Sequence, residues 1–229
     1  YKRQGFPEER QEKIRNSSFD PKLILKKIIK DKQDIIFTTY KFSKNLQYYG
    51  RLFAQNASLQ GIPKEMRNAL AEGLYHDIDM KNAHPTLLLQ YCIENGIACK
   101  TLEEYVNNRD NILETICQEC DISRANAKQN MLSILNGGNP DLSNDFVIAF
   151  KTEISKIHKQ VCLLNSKEFT KIKKLKDFNP EGSMMNVILC KLEHLVLMNA
   201  VEFMKSKGFN VDVLVFDGFM VRILSLIHI

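Results

Sequence analysis

The chain has 229 residues, of which 44% are hydrophobic and 26% charged, and its 32 Lys/Arg against 27 Asp/Glu give a net charge of +5. These values are those of an ordinary globular protein, long enough for one large domain or two small ones. No apolar run reaches the length of a membrane span and no signal peptide is visible at the start, so we expect no membrane partner. Six cysteines without a regular framework favour a reducing, intracellular compartment.

The first part of the chain changes from charged to β-rich. Residues 1–34 are strongly charged and contain a helix signal over 20–30, where Asp and Pro stand at the start. Residues 35–60 hold β-branched and aromatic stretches that predict a hairpin or an extended segment. A short helix, ended by glycine, is predicted within residues 62–73.

Two aspartates stand where a strand is followed by a helix, in the stretch LYHDIDMKNAHPTLLLQYC. Alternate residues of a strand share one face, so Asp77 and Asp79 are predicted to point the same way. Pro85 suits the first turn of the helix that follows. Two like charges this close repel each other unless a cation lies between or beside them, so the pair is a candidate ligand set for a divalent metal ion.

A helical block fills the middle of the chain. Helical spacing runs over about 101–136 and stops at a Gly-Gly-Asn-Pro sequence. A second helix with one buried face is predicted over 143–165. The segment 151–176 is rich in lysine, which suits a polyanion and equally suits a solvated helix face.

The last third of the chain predicts a buried helix and a β-hairpin. Residues 183–208 are apolar on nearly all sides, and the β-rich runs VDVLVF and FMVRI follow. Asp217-Gly218 stands between these two runs, and Asp-Gly is a strong signal for a tight hairpin turn. Few strands among many helices predict an α+β fold.

One helix face in the middle block carries two cations. Arg124 and Lys128 are four residues apart and therefore lie on one face. Leu132 and Asn136 continue that face. Arginine as a fork and lysine as a point charge can together grip a triphosphate, although a solvated basic face explains the spacing equally well.

Three motifs in one order resemble those of the family A DNA polymerases and the single-subunit RNA polymerases of phages. The spacing Arg-x3-Lys-x3-apolar-x4-Gly that begins at Arg124 resembles motif B, DIDMKNAHP resembles motif A, and LVFDGFMV resembles motif C. The segment NPEGSMMNVILCKLEHLVLMNAVEFMKSKG resembles the long palm helix before motif C. Its Glu181-Gly182 stands where the family usually has Gln-Gly. The resemblance covers about residues 48–223.

Within that superfamily, the chain is most like the transposon–virus polymerase branch of virophages, large DNA viruses and mobile elements. The DxNxHP form of motif A, the Asp-Gly form of motif C and the upstream stretch GRLFAQNASLQGIPKEMRNAL carry this likeness. A superfamily-3 helicase often accompanies polymerases of this branch. Phe216 and Gly218 stand where the usual motif C has His and Glu. Leu132 and Asn136 stand where motif B often has Phe and Tyr, which leaves the choice between deoxynucleotides and ribonucleotides open.

The resemblance implies a template-directed nucleotidyltransferase, a DNA polymerase or primase-polymerase, that uses two Mg²⁺ ions for phosphoryl transfer. Its partners would be a DNA primer-template and nucleoside triphosphates. Asp217 and one aspartate of motif A would hold the metal ions. The spacing to Asn82 and His84 favours Asp79. Asp77 is the alternative ligand or a close neighbour of the ligands.

Further site residues follow from the same resemblance. Arg124 and Lys128 would neutralise the triphosphate, and Lys128 would also protonate the leaving pyrophosphate. His84 and Asn136 would lie near the nucleotide, and Glu181 would contact the primer-template. Each of these residues also has a plain structural alternative, such as a helix start or an exposed polar face.

The implied domains are a basic N-terminal helical segment (1–47), a palm with the catalytic hairpin (48–100 and 175–223) and a helical fingers insertion (101–174). The terminal LSLIHI, residues 224–229, matches the translated end of a common sequencing adapter and is excluded from the fold prediction. We expect the natural protein to continue beyond residue 223, and therefore weak activity at best from these 229 residues.

Two other interpretations stay open. A catalytically inactive, nucleic-acid-binding replication module would keep the palm and lose the activity. A metal-dependent glycosyltransferase would use the Asp77-x-Asp79 pair, but no Gly-rich strand–turn–helix element lies upstream of it. The sequence does not distinguish a primase from an enzyme that extends existing primers. It also does not distinguish the host cytoplasm, a viral factory and the nucleus as the location.

Overall fold

The structure is a computed structural model, and it describes residues 37–43 and 50–223 without the side chain of Glu65. The helix signal over 20–30 and the hexapeptide 224–229 lie outside the described residues.

Contacts divide the chain into two compact units. The first consists of residues 1–41 and 53–74, and the second consists of residues 42–52 and 75–229. This division differs from the predicted palm and fingers boundaries and does not test them, so those boundaries stay predictions. The residues of the candidate site described below all belong to the second unit.

The described part of the first unit contains one short helix. Strands β1 (Tyr40–Phe42) and β2 (Leu52–Ala54) pair with each other. A 3-10 turn, Leu59–Gly61, follows β2. The predicted short helix is α1 (Lys64–Ala71), and Gly73 after it takes a left-handed φ of +75° that a glycine adopts without strain.

The second unit contains a three-stranded antiparallel sheet in the order β3-β5-β4. Its strands are β3 (Tyr75–Asp79), β4 (Val211–Val215) and β5 (Gly218–Arg222). The sheet therefore pairs residues 75–79 with two segments from the last twenty residues of the chain. The register places Asp79 opposite Gly218 and Asp77 opposite Met220.

The described residues of the second unit form seven α-helices: α2 (Ala83–Glu94), α3 (Lys100–Asn107), α4 (Arg109–Cys120), α5 (Arg124–Leu135), α6 (Asp145–Leu164), α7 (Ser166–Leu175) and α8 (Pro180–Ser206). The side chains of Ser123 and Asn144 begin α5 and α6 by accepting hydrogen bonds from backbone N–H groups of the first turn. Helices together with small antiparallel sheets confirm the predicted α+β class. None of the helices in the described ranges combines the length and the apolarity needed to cross a bilayer.

Helix α8 joins two hydrophobic cores. Its first half carries Met184 and Leu189, which belong to the core that helices α2 to α7 share. Its second half packs through Leu197 in a separate cluster with Phe219 of β5. Glu193 lies between these two regions and is only 1% exposed. A buried carboxylate at this position needs a partner of opposite charge.

The turn between β4 and β5 lies one residue before the predicted Asp217-Gly218 turn. Gly218 pairs with the last residue of β4, so the two turn residues are Phe216 and Asp217. Phe216 takes a left-handed φ of +48°. Gly218 instead begins β5, because a Cβ there would overlap the carboxylate of Asp79 and would lie 2.6 Å from the carbonyl oxygen of Ile78. The glycine is thus required for the close approach of β3 rather than for the turn itself.

We expect Gly218→Ala to lower the free energy of unfolding by about 1–3 kcal/mol, because overpacking of this kind forces backbone shifts. The carbonyl oxygen of Ile78 is backbone and cannot rotate away as a flexible side chain can. Gly61→Ala is the matched control, since nothing lies within 4 Å of its Cβ position. Urea unfolding of both variants measures the difference, and an equal stability of the two would contradict the prediction.

Candidate functional site

Asp79 and Asp217 meet where β3 ends and the β4–β5 turn passes into β5. The backbone N–H of Met80 donates to the carbonyl oxygen of Asp217 at 3.0 Å. Burial raises the pKa of the Asp217 carboxyl, and the negative charges of Glu193 and Asp79 raise it further. A hydrogen bond from its own backbone N–H and the charge of Arg51 oppose this shift. Two aspartates that are far apart in the sequence therefore lie close enough for their charges to interact.

Asp77 lies further from the turn than Asp79. It is opposite Met220, two residues back along β3, which is about 7 Å at a rise of ~3.4 Å per residue. Asp77 and Asp79 are both exposed, so only the register distinguishes them. Of the two aspartates in the predicted metal-binding pair, the sheet register therefore places Asp79 beside Asp217.

A buried ion-pair network lies next to Asp217. Arg51 donates to both carboxylate oxygens of Glu193, at 2.7 Å each, and His84 Nε2 lies 3.0 Å from one of these oxygens. An ionised carboxylate only accepts, so the proton of this contact belongs to His84. Burial alone would raise the pKa of Glu193, but the hydrogen bonds from His84 and Arg51 hold it below its ordinary value. Glu193 is therefore an ionised, buried anchor for two side chains.

The Arg51 guanidinium is held on two sides. One side is the Glu193 carboxylate, and the other is the ring of Phe216, whose centroid lies 5.4 Å from Arg51 Cζ. The preceding Gly50 lies against helix α8, where a Cβ would be 3.1 Å from the backbone carbonyl carbon of Cys190. This close approach of the backbone brings Arg51 within reach of Glu193.

A cavity of about 680 Å³ opens in front of Asp217. Its lining includes Arg51, His84, Glu193, Asn82, Arg109, Leu132, Asn136 and Asn179. Three buried polar atoms in this lining have no hydrogen-bond partner among the described residues: Nδ2 of Asn82, Nε of Arg109 and Oδ1 of Asn136. Buried unpaired polar atoms are costly, and a bound polar ligand or ordered water would remove that cost. The cavity therefore has the properties of a binding site for a polar ligand.

The two cations predicted on helix α5 lie outside this cavity. Leu132 and Asn136 line the cavity, as the spacing of that helix face suggested, but Arg124 and Lys128 are not part of its lining. Arg124 instead pairs with Asp110 of α4, and both side chains are exposed. The structure thus brings two of the four residues of the predicted face to Asp217 and leaves the two charged ones apart from it.

The start of helix α8 is fastened to the end of α5. Asn179 donates from Nδ2 to the carbonyl oxygen of Asn136 at 2.8 Å, and its Oδ1 accepts from the backbone N–H of Gly182 at 3.0 Å. A Cβ on Gly182 would overlap the Asn136 carbonyl oxygen, so only glycine allows this close contact.

Glu181 is half-buried and its charge acts on His158 of α6. The predicted primer-template contact, Glu181, is thus not among the residues that line the cavity.

Sequence reasoning missed three residues of the site: Arg51, Glu193 and Arg109. Glu193 stands in the middle of a largely apolar helix, and this was a usable signal, because a buried carboxylate requires a buried partner. Arg51 is 142 positions away from Glu193, and no local pattern connects the two. Arg109 stands at a helix start without any spacing that marks it.

The carboxylates of Asp79 and Asp217 suit a hard divalent cation. Carboxylate oxygens are the ligands that Mg²⁺ prefers in proteins. The raised pKa of Asp217 has the negative charges of its neighbours among its causes, and a bound cation would relieve that repulsion. The donor set is therefore consistent with the magnesium prediction, which stays a prediction.

A second cluster has ligand atoms close enough to share a metal ion, namely His84, Cys190 and Glu193. This cluster does not suit a metal ion, because Arg51 already donates to both carboxylate oxygens of Glu193. Burial also raises the pKa of the Cys190 thiol to about 11, so the sulfur stays protonated near neutral pH. This cluster is a structural ion-pair network.

We expect the protein to lose stability in acid because the stabilising contribution of the ionised Glu193 carboxylate disappears there. Its pKa is lower in the folded protein than the ordinary value of 4.5, so its contribution is fully present above that value. The contribution is lost as the pH falls through the lowered folded-state pKa. Urea unfolding between pH 7 and about pH 3 should show a smaller loss of stability for Glu193→Gln than for the wild type. An equal loss of the free energy of unfolding in the two proteins would contradict this expectation.

A protein of Sputnik virophage named "Putative helicase V13" is 34% identical to the chain over 206 residues, which are 84% of this chain and 26% of the virophage protein. The chain thus spans about a quarter of the length of this relative. No protein-family model matches the chain.

Among solved structures, the chain is similar to the POL domain of Pol1 from M. smegmatis in complex with DNA primer-template and dNTP. The similarity covers 89% of this chain and 44% of that chain, with 12% sequence identity and a TM-score of 0.47. A likeness at this level does not define a function.

Proposed function

We propose that the chain is a template-directed nucleotidyltransferase, a DNA polymerase or primase-polymerase of a virus or mobile element. The observation that carries the proposal is the meeting of Asp79 and Asp217 at one end of the three-stranded sheet. The two residues come from the stretches that resemble motifs A and C, and the pairing of β3 with β5 brings them together. A polar cavity of about 680 Å³ in front of Asp217 offers space for a substrate.

Asp79 and Asp217 are the residues that would hold the two Mg²⁺ ions, with Asp77 as the further candidate. When bound, these ions would lower the pKa of the attacking hydroxyl group and stabilise the leaving pyrophosphate. Burial and two neighbouring carboxylates raise the pKa of Asp217, and a bound cation would favour its charged form.

The lining of the cavity supplies residues that would orient the nucleotide. His84 is fixed by Glu193, and Asn136 lies at the end of α5, so both present polar groups from rigid elements. Arg124 and Lys128 stay proposed triphosphate ligands on the resemblance alone. Glu181 stays a proposed primer-template contact on the same ground.

The virophage relative supports a viral replication role. Its name describes a helicase, and the chain matches only 26% of its length. We place the helicase in the part of that protein that the chain does not match, as in the polymerase branch that carries a superfamily-3 helicase. An intracellular location belongs to the same proposal.

Primer extension tests the proposed function. The chain is incubated with a labelled primer on a DNA template, Mg²⁺ and the four deoxynucleotides, with ribonucleotides and an unprimed template as parallel arms. We expect weak, template-dependent incorporation that Asp217→Ala abolishes, while a gel-shift assay shows that the variant still binds the primer-template. New oligonucleotides on the unprimed template would identify a primase.

Two results would favour the alternatives. Duplex binding without incorporation of any nucleotide, equal in the wild type and Asp217→Ala, would support the inactive replication module. Metal-dependent cleavage of a nucleotide sugar that requires Asp77 and Asp79 would support the glycosyltransferase.

A further inference from the structure

A second cavity, of about 240 Å³, adjoins the first. One wall is the segment between β3 and α2, with Lys81 and Asn82, and the other is formed by residues 106–111 around the start of α4. Asn82 and Arg109 line both cavities, so they mark the place where the two meet. A ligand that occupied both cavities would therefore pass Asn82 and Arg109.

The charges of the second cavity suit an anion. Lys81 and Arg109 line it, against one carboxylate, that of Asp110. Asp110 is paired with Arg124, so a third cation lies at the rim. The lining also contains four amide side chains that can donate hydrogen bonds: Asn82, Asn107, Asn108 and Asn111.

The unpaired polar atoms at the junction are both donors. Nε of Arg109 and Nδ2 of Asn82 are buried, and neither has a hydrogen-bond partner among the described residues. Each donor left without an acceptor costs free energy, so the missing partner at this place is an acceptor. Phosphate oxygens are acceptors with the charge that Lys81 and Arg109 attract.

We propose that the second cavity binds the two terminal phosphates of a nucleoside triphosphate, with Arg109 as its central contact and Lys81 beside it. This assignment rests on the proposed function, because the first cavity and Asp217 then hold the reacting end of the same nucleotide. In this assignment Arg109, which the sequence did not single out, lines both cavities, while Arg124 lines neither and pairs with Asp110 at the rim of the second.

Calorimetric titration with inorganic tripolyphosphate, without added metal ions, tests the site independently of synthesis. We expect Arg109→Gln to weaken binding about tenfold, the effect of losing one charge-assisted hydrogen bond. Asp110→Asn should bind more tightly than the wild type, because it removes the one carboxylate and releases Arg124. Arg222→Gln is the matched control, an arginine on β5 that lines neither cavity and should leave binding unchanged.

Comparing the binding of nucleotides with three phosphates and with one tests whether the terminal phosphates bind at Arg109. Binding of a deoxynucleoside triphosphate should depend on Arg109, whereas binding of the corresponding monophosphate should not. A wild type that fails to bind tripolyphosphate at millimolar concentration would overturn the proposal. The proposal would also be overturned if Arg109→Gln bound tripolyphosphate as tightly as the wild type, or if Asp110→Asn bound it no more tightly than the wild type.

Thermal unfolding establishes that each variant is folded. Lys81 is exposed, so Lys81→Gln folds in any case and takes the place of Arg109→Gln if that variant does not. Primer extension separates the two proposals. Arg109-dependent tripolyphosphate binding without any nucleotide incorporation would overturn the proposed function alone. Incorporation whose KM for the nucleotide is the same in Arg109→Gln as in the wild type would overturn this inference alone.

Discussion

Asp217→Asn and Asp79→Asn are each expected to lower the rate of nucleotide incorporation about a thousandfold, whereas Asp77→Asn should lower it less than about tenfold. The amide keeps the size of the side chain and removes the charge that would hold Mg²⁺. Asp79 is opposite Gly218 beside the turn, while Asp77 lies two residues further along the strand. Single-nucleotide extension of a primer under enzyme excess measures the three rates.

The loss of activity should not come from unfolding. Burial and the neighbouring carboxylates raise the pKa of Asp217, so its ionised form is disfavoured in the folded protein. A neutral amide at that position should therefore leave the Tm unchanged or raise it. Asp141→Asn, at an exposed position, controls for the general effect of removing one negative charge. A larger loss in Asp77→Asn than in Asp79→Asn would reverse the assignment of the two aspartates.

Glu193→Gln is expected to lower the free energy of unfolding by about 2–3 kcal/mol at neutral pH. Removing one member of a buried ion pair leaves the other charge uncompensated, which typically costs about 3–5 kcal/mol. The Arg51 side chain is 24% exposed, and water that reaches it reduces the penalty. Urea unfolding measures the change, and a loss of incorporation should accompany it because Arg51 and His84 lose their common anchor.

A double-mutant cycle shows whether this loss belongs to the network. Glu202→Gln is the matched control, an exposed glutamate on the same helix, expected to change stability by less than about 0.5 kcal/mol. Arg51→Gln combined with Glu193→Gln should cost less than the two single variants added together, because no unpaired charge remains. Strictly additive losses would mean that the two residues stabilise the protein independently.

Local signals in the sequence were enough to predict the elements that carry the two aspartates. The alternation before Asp79 and the proline after it predicted a strand followed by a helix, and both are present as β3 and α2. The Asp-Gly pair predicted a hairpin that contains Asp217, although the turn lies one residue earlier. The α+β class followed from the same short-range patterns.

Contacts between distant residues could not be predicted in this way. The choice between Asp77 and Asp79 depends on the register of β3 with β5, which a period of two does not fix. The spacing of Arg124 and Lys128 fixed which helix face they share, but not that Asp110 of another helix would pair with Arg124. The cavity is lined by side chains from several helices and loops, and its shape follows from their packing rather than from any one pattern.

The shared core around helix α8 restricts how the protein can move. Leu102 of α3 and Phe150 of α6, which fall in the predicted fingers, belong to the same buried cluster as Leu189 of α8. A hinged swing of that whole block would uncover apolar surface, and roughly 400 Å² would already cost about 10 kcal/mol. Helices α4 and α5 also supply buried residues to this cluster, among them Leu113 and Met131. We therefore expect a substrate to be accommodated by rearrangement of side chains in the cavity lining, over a helical scaffold that stays rigid.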